Sequence, residues 1–418
     1  MREHIFFHID VNSAFLSWTA LSLLQEGSGT DLRLIPSIVG GDMAKRHGVV
    51  LAKSLPAKAY GITTGEPVVN ALRKCPVLVT VPPDHAMYHR RSRELMQLLS
   101  GICPDIEQVS IDECYMDYTP ISKKYSSPQE AARQIKDKVR DTLGFTVNVG
   151  ISDRKVLAKM ASDFRKPDLV HTLFVREIPE KLWPLPVSSL FLCGQSSVET
   201  LRKLGILTIG DLAHAQTDIL EAHLKSHGIT LWQYANGIDD SDLTPKPVKV
   251  RGVGNSTTLP QDALTREDAL PVLLSLAESV AGRLRASGEL AGMVSTEIKY
   301  ASFRSVSHQM QLPTPTASSQ AIYQAACKLF EELWNGEPIR LLGVRTSKLA
   351  SETEPVQLNL FDYGAPAIGS AGKTFRAAPD RDRQQRLDKA LDGLRGKYGK
   401  DIIKRGSLMD SPSTPSSS

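Results

Sequence analysis

The sequence predicts an α+β multidomain protein. Two units share one order of elements, strand–helix–hairpin–helix–strand, and a run of short helices separates them. Three observations predict it. In "IFFHID" (residues 5–10), Ile5, Phe7 and Ile9 alternate with Phe6, His8 and Asp10, the two-residue period of a strand. In "SPQEAARQIKDKVRDTLG" (127–144), Ser127 reads as an N-cap, Pro128 as the first helical residue, Glu130 as the closing member of a capping box and Gly144 as the stop. Beyond residue 250, helices near 266–285 and 318–334 bracket the strands "VSTEIKY" and "HQMQL" and precede the strand "IRLLGVRTSKL".

The first unit contains "VLVTV" (77–81), by composition a short buried strand, and after the capped helix the alternating strand "FTVNVGIS". Together these read as a split βαβ, a four-stranded antiparallel sheet backed by helices. Residues 166–237 then give short helices. Ser196 reads as an N-cap with Glu199 reciprocal and Gly205 as the stop; Thr208 caps the next helix with Asp211 three residues on. Two helices joined by a tight turn leave N-terminal amides able to meet phosphate. "DDSDLTPKPVKV" (239–250) is polar and Pro-containing, a linker. In the second unit, Leu273, Leu276, Val280 and Leu284 share one helix face, as do Ile322, Ala326, Leu329 and Leu333. After residue 351 comes a Gly/Ala/Pro-rich tail, a basic helix-like segment and the low-complexity end "SPSTPSSS", expected to be disordered.

The chain of 418 residues exceeds one ordinary core. Its 41% hydrophobic and 23% charged residues are those of a soluble globular protein, and no apolar run reaches membrane-spanning length, so a membrane partner is not expected. Five cysteines without CxxC spacing argue against a zinc site or a disulfide framework and for a reducing cytoplasm. The net charge is +4, and the surplus sits at 376–405, where ten Lys/Arg face five Asp/Glu. That excess points weakly to a polyanion.

The chemistry concentrates in "EQVSIDECYMDYT" (107–119), which sets two acids side by side in an apolar run. Neighbouring strand residues face opposite ways, so Asp112 and Glu113 reach one partner only if the chain reverses at them. A hairpin reversing there would bring both beside Asp10, at the end of the first strand. Clustered carboxylates raise one another's pKa unless a cation joins them, and Mg²⁺ takes carboxylates together with substrate phosphates. The plainer reading of an adjacent acid pair is a solvated surface.

The surroundings decide between them. "HIDVNSAF" (8–15), "AKAYGITTGEP" (57–67), "YHRRSREL" (88–95), "VSIDECYMD" (109–117) and "GISDRKVLAKMASDFRKP" (150–167) resemble, in order and spacing, the Y-family translesion DNA polymerases of the DNA polymerase IV and UmuC type. The resemblance is specific over the first 167 residues and looser as domain order to about residue 350. It implies a right-hand polymerase: a split-βαβ, ferredoxin-like palm at 1–165 with a small fingers insertion at about 20–75, a helical thumb with a helix-hairpin-helix-like element at 166–238, a linker at 239–249, a βαββαβ little finger at 250–350 and a tail at 351–418. Asp10, Asp112 and Glu113 would be the catalytic, metal-binding carboxylates, with the Val11 carbonyl as a further ligand. Two Mg²⁺ ions are implied, with Mn²⁺ able to substitute. Phe15 would be the steric gate against a ribose 2′-OH. Backbone amides of Asn12, Ser13, Ala14 and Phe15 would meet the β- and γ-phosphates, Lys166 the triphosphate and Ser110 would support the hairpin; Lys155 and Lys159 would be positioning or surface residues.

The sequence departs from the family pattern in three places. Asn12 stands where the family commonly has Asp, at a supporting position. Leu55 and Lys58 replace a tyrosine and an arginine that contact triphosphate; Leu55 cannot hydrogen-bond and Lys58 cannot form a bidentate fork, which implies altered nucleotide affinity. "CGQSS" is a degraded Gly-x-Gly turn, weakening the expected phosphate contact. "QLNLF" in the tail resembles the bacterial sliding-clamp-binding pentapeptide, with Gln357 for hydrogen bonds and Leu358, Leu360 and Phe361 for an apolar groove. The implied partners are primed DNA, deoxynucleoside triphosphates and the clamp, with the chain acting as a monomer. Lys299, Arg304, Arg340, Arg345 and Lys348 would meet DNA phosphates without reading sequence. A nucleotide cyclase shares a palm-like sheet and two-metal carboxylates but needs no helical hairpin, second domain or clamp peptide. A non-catalytic accessory protein on the same fold is the other alternative; retention of Asp10, Asp112, Glu113 and Lys166 argues against it.

Overall fold

The computed structural model describes residues 4–41, 48–244, 250–351, 378–399 and 402–403. The chain divides into two compact units, one formed by residues 1–43 and 48–248, the other by 44–47 and 249–418. The expected clamp peptide, Gln357 to Phe361, and residues 245–249 of the linker lie outside the described residues. Among the described residues no helix is long and apolar enough to cross a membrane.

The first unit opens with β1 (Phe6–Val11) and α1 (Ala14–Gln25). Strands β2 (Ser37–Gly40), β3 (Val50–Lys53) and β4 (Val79–Val81) form a small sheet in the order β3-β2-β4, with helices α2 (Leu55–Ala59) and α3 (Val68–Lys74) between the last two strands. The expected strand at 77–81 is therefore shorter, and it is not buried: Val77 is 70% and Val79 38% exposed, because β4 is the edge strand of the small sheet, whose central strand β2 is the buried one.

The main sheet adds β5 (Ile106–Gln108), β6 (Glu113–Asp117), β7 (Val147–Ser152) and β8 (Val170–Thr172) in the order β5-β6-β1-β7-β8. Four strands are antiparallel, as expected; β8 adds a fifth, parallel to β7. Between them run α4 (His85–Ser100), α5 (Pro128–Leu143) and α6 (Lys155–Asp163). The Ser127 hydroxyl caps α5 by accepting from the Glu130 amide. Phe7, Ile9 and Val11 pack with Leu95 and Leu99 of α4 and Ile135 and Val139 of α5. The opposite face of β1 meets α6. That helix lies so close to β7 that a Cβ on Gly150 would come within 1.9 Å of the Ala158 carbonyl, so no other residue fits there.

Short helices follow: α7 (Ile178–Lys181), α8 (Gln195–Lys203), α9 (Ile209–Ala213), α10 (Thr217–Leu224) and α11 (Ser226–Ala235). Thr208 and Asp211 form the expected capping box on α9. Ser196 is not a cap. The N-cap of α8 is Gly194, two residues earlier, and no side chain caps the helix.

The second unit contains β9 (Gly252–Ala263), α12 (Arg266–Ser287), β10 (Glu289–Tyr300), β11 (Ser305–Thr316), α13 (Ser319–Leu333), β12 (Ile339–Ser351) and α14 (Ala378–Tyr398). Its sheet order is β11-β10-β12-β9, and α12 and α13 cover one face with Leu273, Leu276, Val280, Ile322 and Leu329. Helix α14, from the basic segment, packs on α12 through ion pairs made by its acids and by Arg395. Arg285 binds Asp392 bidentately, with one bond of 2.8 Å, and approaches Asp388 at 3.6 Å, while Arg395 reaches Glu278 at 2.9 Å.

Candidate active site

The central position of β1 builds the site. Alternation along the strand puts His8 and Asp10 on the face opposite the Phe7–Ile9 core. Asp10 stands directly across from Glu113 on β6 and from Asn148 on β7. Residues about a hundred positions apart thus meet on one sheet row.

The expected reversal is present and ends at the acid pair, with Asp112 its last residue and Glu113 opening the returning strand. Strands β5 and β6 are antiparallel, and the Val109 and Ser110 amides both donate to the Glu113 carbonyl. Residues 109–112 make the turn, and Glu113 is the first residue of the returning strand. The two acids diverge as strand geometry demands. Glu113 faces Asp10. The Asp112 carboxylate accepts from the Ser110 hydroxyl at 2.6 Å, while its carbonyl accepts from the Val11 amide at 3.0 Å. Among the described residues, the group able to hold a metal ion is His8, Asp10 and Glu113, whose ligand atoms lie within 4.8 Å of one another; Asp112 is not part of it.

Two ammonium groups bridge the carboxylates. Lys159 on α6 reaches Asp10 at 3.2 Å and Glu113 at 2.8 Å. Lys166 reaches Asp10 at 2.7 Å and Asp163 at 2.9 Å. His8, 1% exposed, lies between Glu113, 3.3 Å from Nε2, and the Ser162 hydroxyl, 2.8 Å from Nδ1. Burial holds this ring below its ordinary pKa. Nδ1 lies against the Ser162 hydroxyl, which itself donates to the Lys159 carbonyl at 2.8 Å, while the neutral ring donates from Nε2 to Glu113. That hydrogen bond, with Lys159 adding to it, brings Glu113 down to about 2 against the opposing effect of burial. Burial also works against the charge on both lysines, yet both are raised, with Asp10 the leading cause.

The rest of the expected nucleotide site begins where β1 ends. Ser13 adopts a left-handed conformation (φ 47°) that turns the strand into α1, and no side chain caps the helix. Asn12 is buried, Ser13 exposed and Ala14 buried. Phe15 stacks on Tyr88, with ring centroids 4.4 Å apart and 8° between planes, and the Tyr88 hydroxyl is tied to Thr19 at 2.9 Å. Lys58 is exposed on α2 and, among the described residues, is not one of those that touch Asp10 or Glu113. Lys155 is buried against Glu107 at 2.7 Å.

Sequence reasoning did not single out His8, and it left Lys159 among positioning or surface residues. The signal for His8 was present, since the alternation that selects Asp10 puts His8 on the same face. Lys159 becomes visible only when Gly150 brings α6 against the sheet.

Comparison with known proteins identifies the family. Residues 9–163 match the impB/mucB/samB family and residues 250–360 its C-terminal domain. A DNA polymerase IV of Clostridium acetobutylicum is 44% identical over 97% of this chain and 98% of its own length. The chain belongs to the Y family of DNA polymerases. Other members similar to it are a DNA polymerase IV of Moorella thermoacetica (37% identical, covering 95% of this chain and 94% of that one) and DNA polymerase IV 1 of Bacillus subtilis (35%, 98% and 94%). A solved Y-family polymerase chimera of Dbh and Dpo4 superposes with a TM-score of 0.73 at 22% identity, over 83% of this chain and 99% of that one, and so shares the fold. As a family member the protein is a DNA-directed DNA polymerase. The first matched segment contains Asp10, Asp112, Glu113 and Lys159, and Lys166 follows it by three residues.

Proposed function

We propose that the protein performs template-directed, low-fidelity synthesis past damaged bases, joining a deoxynucleotide to a primer 3′-OH and releasing pyrophosphate. The observation that carries this reading is the facing pair Asp10 and Glu113, with Lys159 and Lys166 beside them. Their oxygens suit a hard divalent cation, Mg²⁺ or Mn²⁺ in its place. Asp10, Glu113, Asp112 and the Val11 carbonyl would hold two such ions, which when bound supply Lewis acidity to the attacking hydroxyl and the triphosphate. His8 takes no ligand position in this reading. Both its ring nitrogens are engaged, and it orients Glu113. Asp112 is held beside β1 by its own carbonyl, so its side chain needs only to leave Ser110 to join.

Lys166 and the uncapped start of α1, from Ser13 to Phe15, would neutralise the triphosphate from two sides; the Asn12 amide, also expected there, is instead bonded to the Thr146 carbonyl at 3.0 Å. Lys58 would approach it from the fingers as a point charge. The Phe15 ring, backed by Tyr88, would abut C2′ of the incoming sugar and exclude a ribonucleotide. In the second unit, Lys299, Arg304, Arg340, Arg345 and Lys348 would bind duplex phosphates, and Gln357, Leu358, Leu360 and Phe361 would dock on the bacterial sliding clamp. Primer extension with Mg²⁺ tests the whole reading. Wild type should extend a primed template and Asp112→Ala/Glu113→Ala should not; no carboxylate-dependent extension would favour an accessory role. Phe15→Ala should raise ribonucleotide insertion, and unchanged sugar discrimination would remove the gate.

A further inference from the structure

Lys166 sits on the segment between α6 and β8, and a long flexible side chain can meet a polyanion reproducibly only if its backbone is fixed. Two buried asparagines fix it. Asn148, fully buried on β7, donates its carboxamide N–H groups to the carbonyls of Ser162 (3.0 Å) and Arg165 (2.6 Å) and accepts from the Leu169 amide (3.2 Å). Asn12, 7% exposed, donates to the same Asn148 oxygen (3.1 Å), and its own oxygen accepts from the Asp168 amide and the Thr146 hydroxyl, both at 2.9 Å. Asn148 thereby uses its full hydrogen-bonding capacity. The segment is held at four backbone points, Ser162 and Arg165 before Lys166 and Asp168 and Leu169 after it. The Asp168 side chain is itself held by Lys136 at 2.9 Å and Arg140 at 3.3 Å.

We propose that the Asn12–Asn148 pair is a positioning device for Lys166, setting where its ammonium group meets the polyphosphate of the incoming nucleotide. The proposal rests on the reading of Lys166 as a triphosphate contact. It also accounts for an amide at position 12. An Asn there donates to the Asn148 oxygen while accepting from the Lys166 segment; a carboxylate would set oxygen against oxygen. Asn148→Asp keeps the volume and the acceptor but turns a carboxylate on two carbonyls, so the segment must shift.

The test is a double-mutant cycle in single-nucleotide insertion kinetics on the full-length chain: wild type, Lys166→Ala, Asn148→Asp and the double variant. Each single change should raise KM for the dNTP by about tenfold while leaving DNA affinity unchanged, and the double variant should be no worse than Lys166→Ala alone. A general packing defect would multiply the two effects, and that result, or a wild-type KM for Asn148→Asp, overturns the proposal while Lys166 keeps its role. A wild-type KM for Lys166→Ala overturns the triphosphate contact itself and the proposal with it. Should Asn148→Asp fail to fold by circular dichroism, Asn12→Ala, which frees the Asp168 amide from the other side, takes its place in the cycle with the same two outcomes.

Discussion

Two sheets in this molecule share one order of elements and differ in strand order. In the first unit the opening strand, β1, lies in the middle, between β6 and β7; in the second unit the opening strand, β9, is at the edge and the last, β12, is next to the centre. The first sheet has strands of three to six residues and gathers polar side chains at their ends. The second has strands of 12 or 13 residues, and Glu297, mid-way along β10, faces Ser307 and Gly343 rather than another carboxylate. What gathers facing carboxylates is therefore which strand is central and what stands across from its last residues; element order alone does not do it.

The sharpest way to break this contrast is to remove one acid from each sheet. Asp10→Ala or Glu113→Ala should lower single-nucleotide insertion by about a thousandfold or more. Glu297→Ala should change it by less than about threefold. Similar losses in both would erase the distinction. A second test concerns support. His8→Phe keeps a buried ring but loses the hydrogen bond to Glu113, and should raise the Mg²⁺ concentration for half-maximal insertion roughly 10- to 100-fold with the same plateau. In the second unit the ion pairs hold a helix instead of a cation. Asp388→Asn/Asp392→Asn leaves Arg285, 11% exposed, without its carboxylates. It should destabilise that unit by about 3 kcal/mol and deprotect α14 to hydrogen exchange, while basal insertion stays intact.

The smallest effect is acid sensitivity. The folded state favours neutral His8 and ionised Glu113, so both shifts place stability on the alkaline side. The His8 contribution is whole above its ordinary 6.5 and falls away as the pH drops below it. The Glu113 contribution is whole above its ordinary 4.5 and is lost as the pH approaches about 2. Thermal melting of the metal-free protein should show an early loss below pH 6.5 that is absent in His8→Phe.

Strand and helix order was legible because alternation and caps are local signals. "IFFHID" placed Asp10, and Thr208 with Asp211 placed α9. Other features depend on what lies across the sheet. Exposure of 77–81 follows from its place at the edge of a small sheet. Strand β8 is recruited by the edge of β7 and has no strong pattern of its own. The proposed role of Asp112 rests on family resemblance, while its contact with Ser110 is made within the turn between β5 and β6. The sequence left open whether the basic helix touches DNA or packs back on the second unit; α14 does pair with α12 through Asp388 and Asp392, acids that a net charge does not reveal.

The central claim is that Asp10 and Glu113, joined by Asp112, hold the divalent cations of DNA synthesis. Mn²⁺ binding followed by electron paramagnetic resonance tests it most directly, in the complex with primed DNA and a non-hydrolysable dNTP. Wild type should bind two ions per chain, and Asp10→Ala and Glu113→Ala should each lose at least one. Equal stoichiometry and affinity in wild type and both variants would contradict the account.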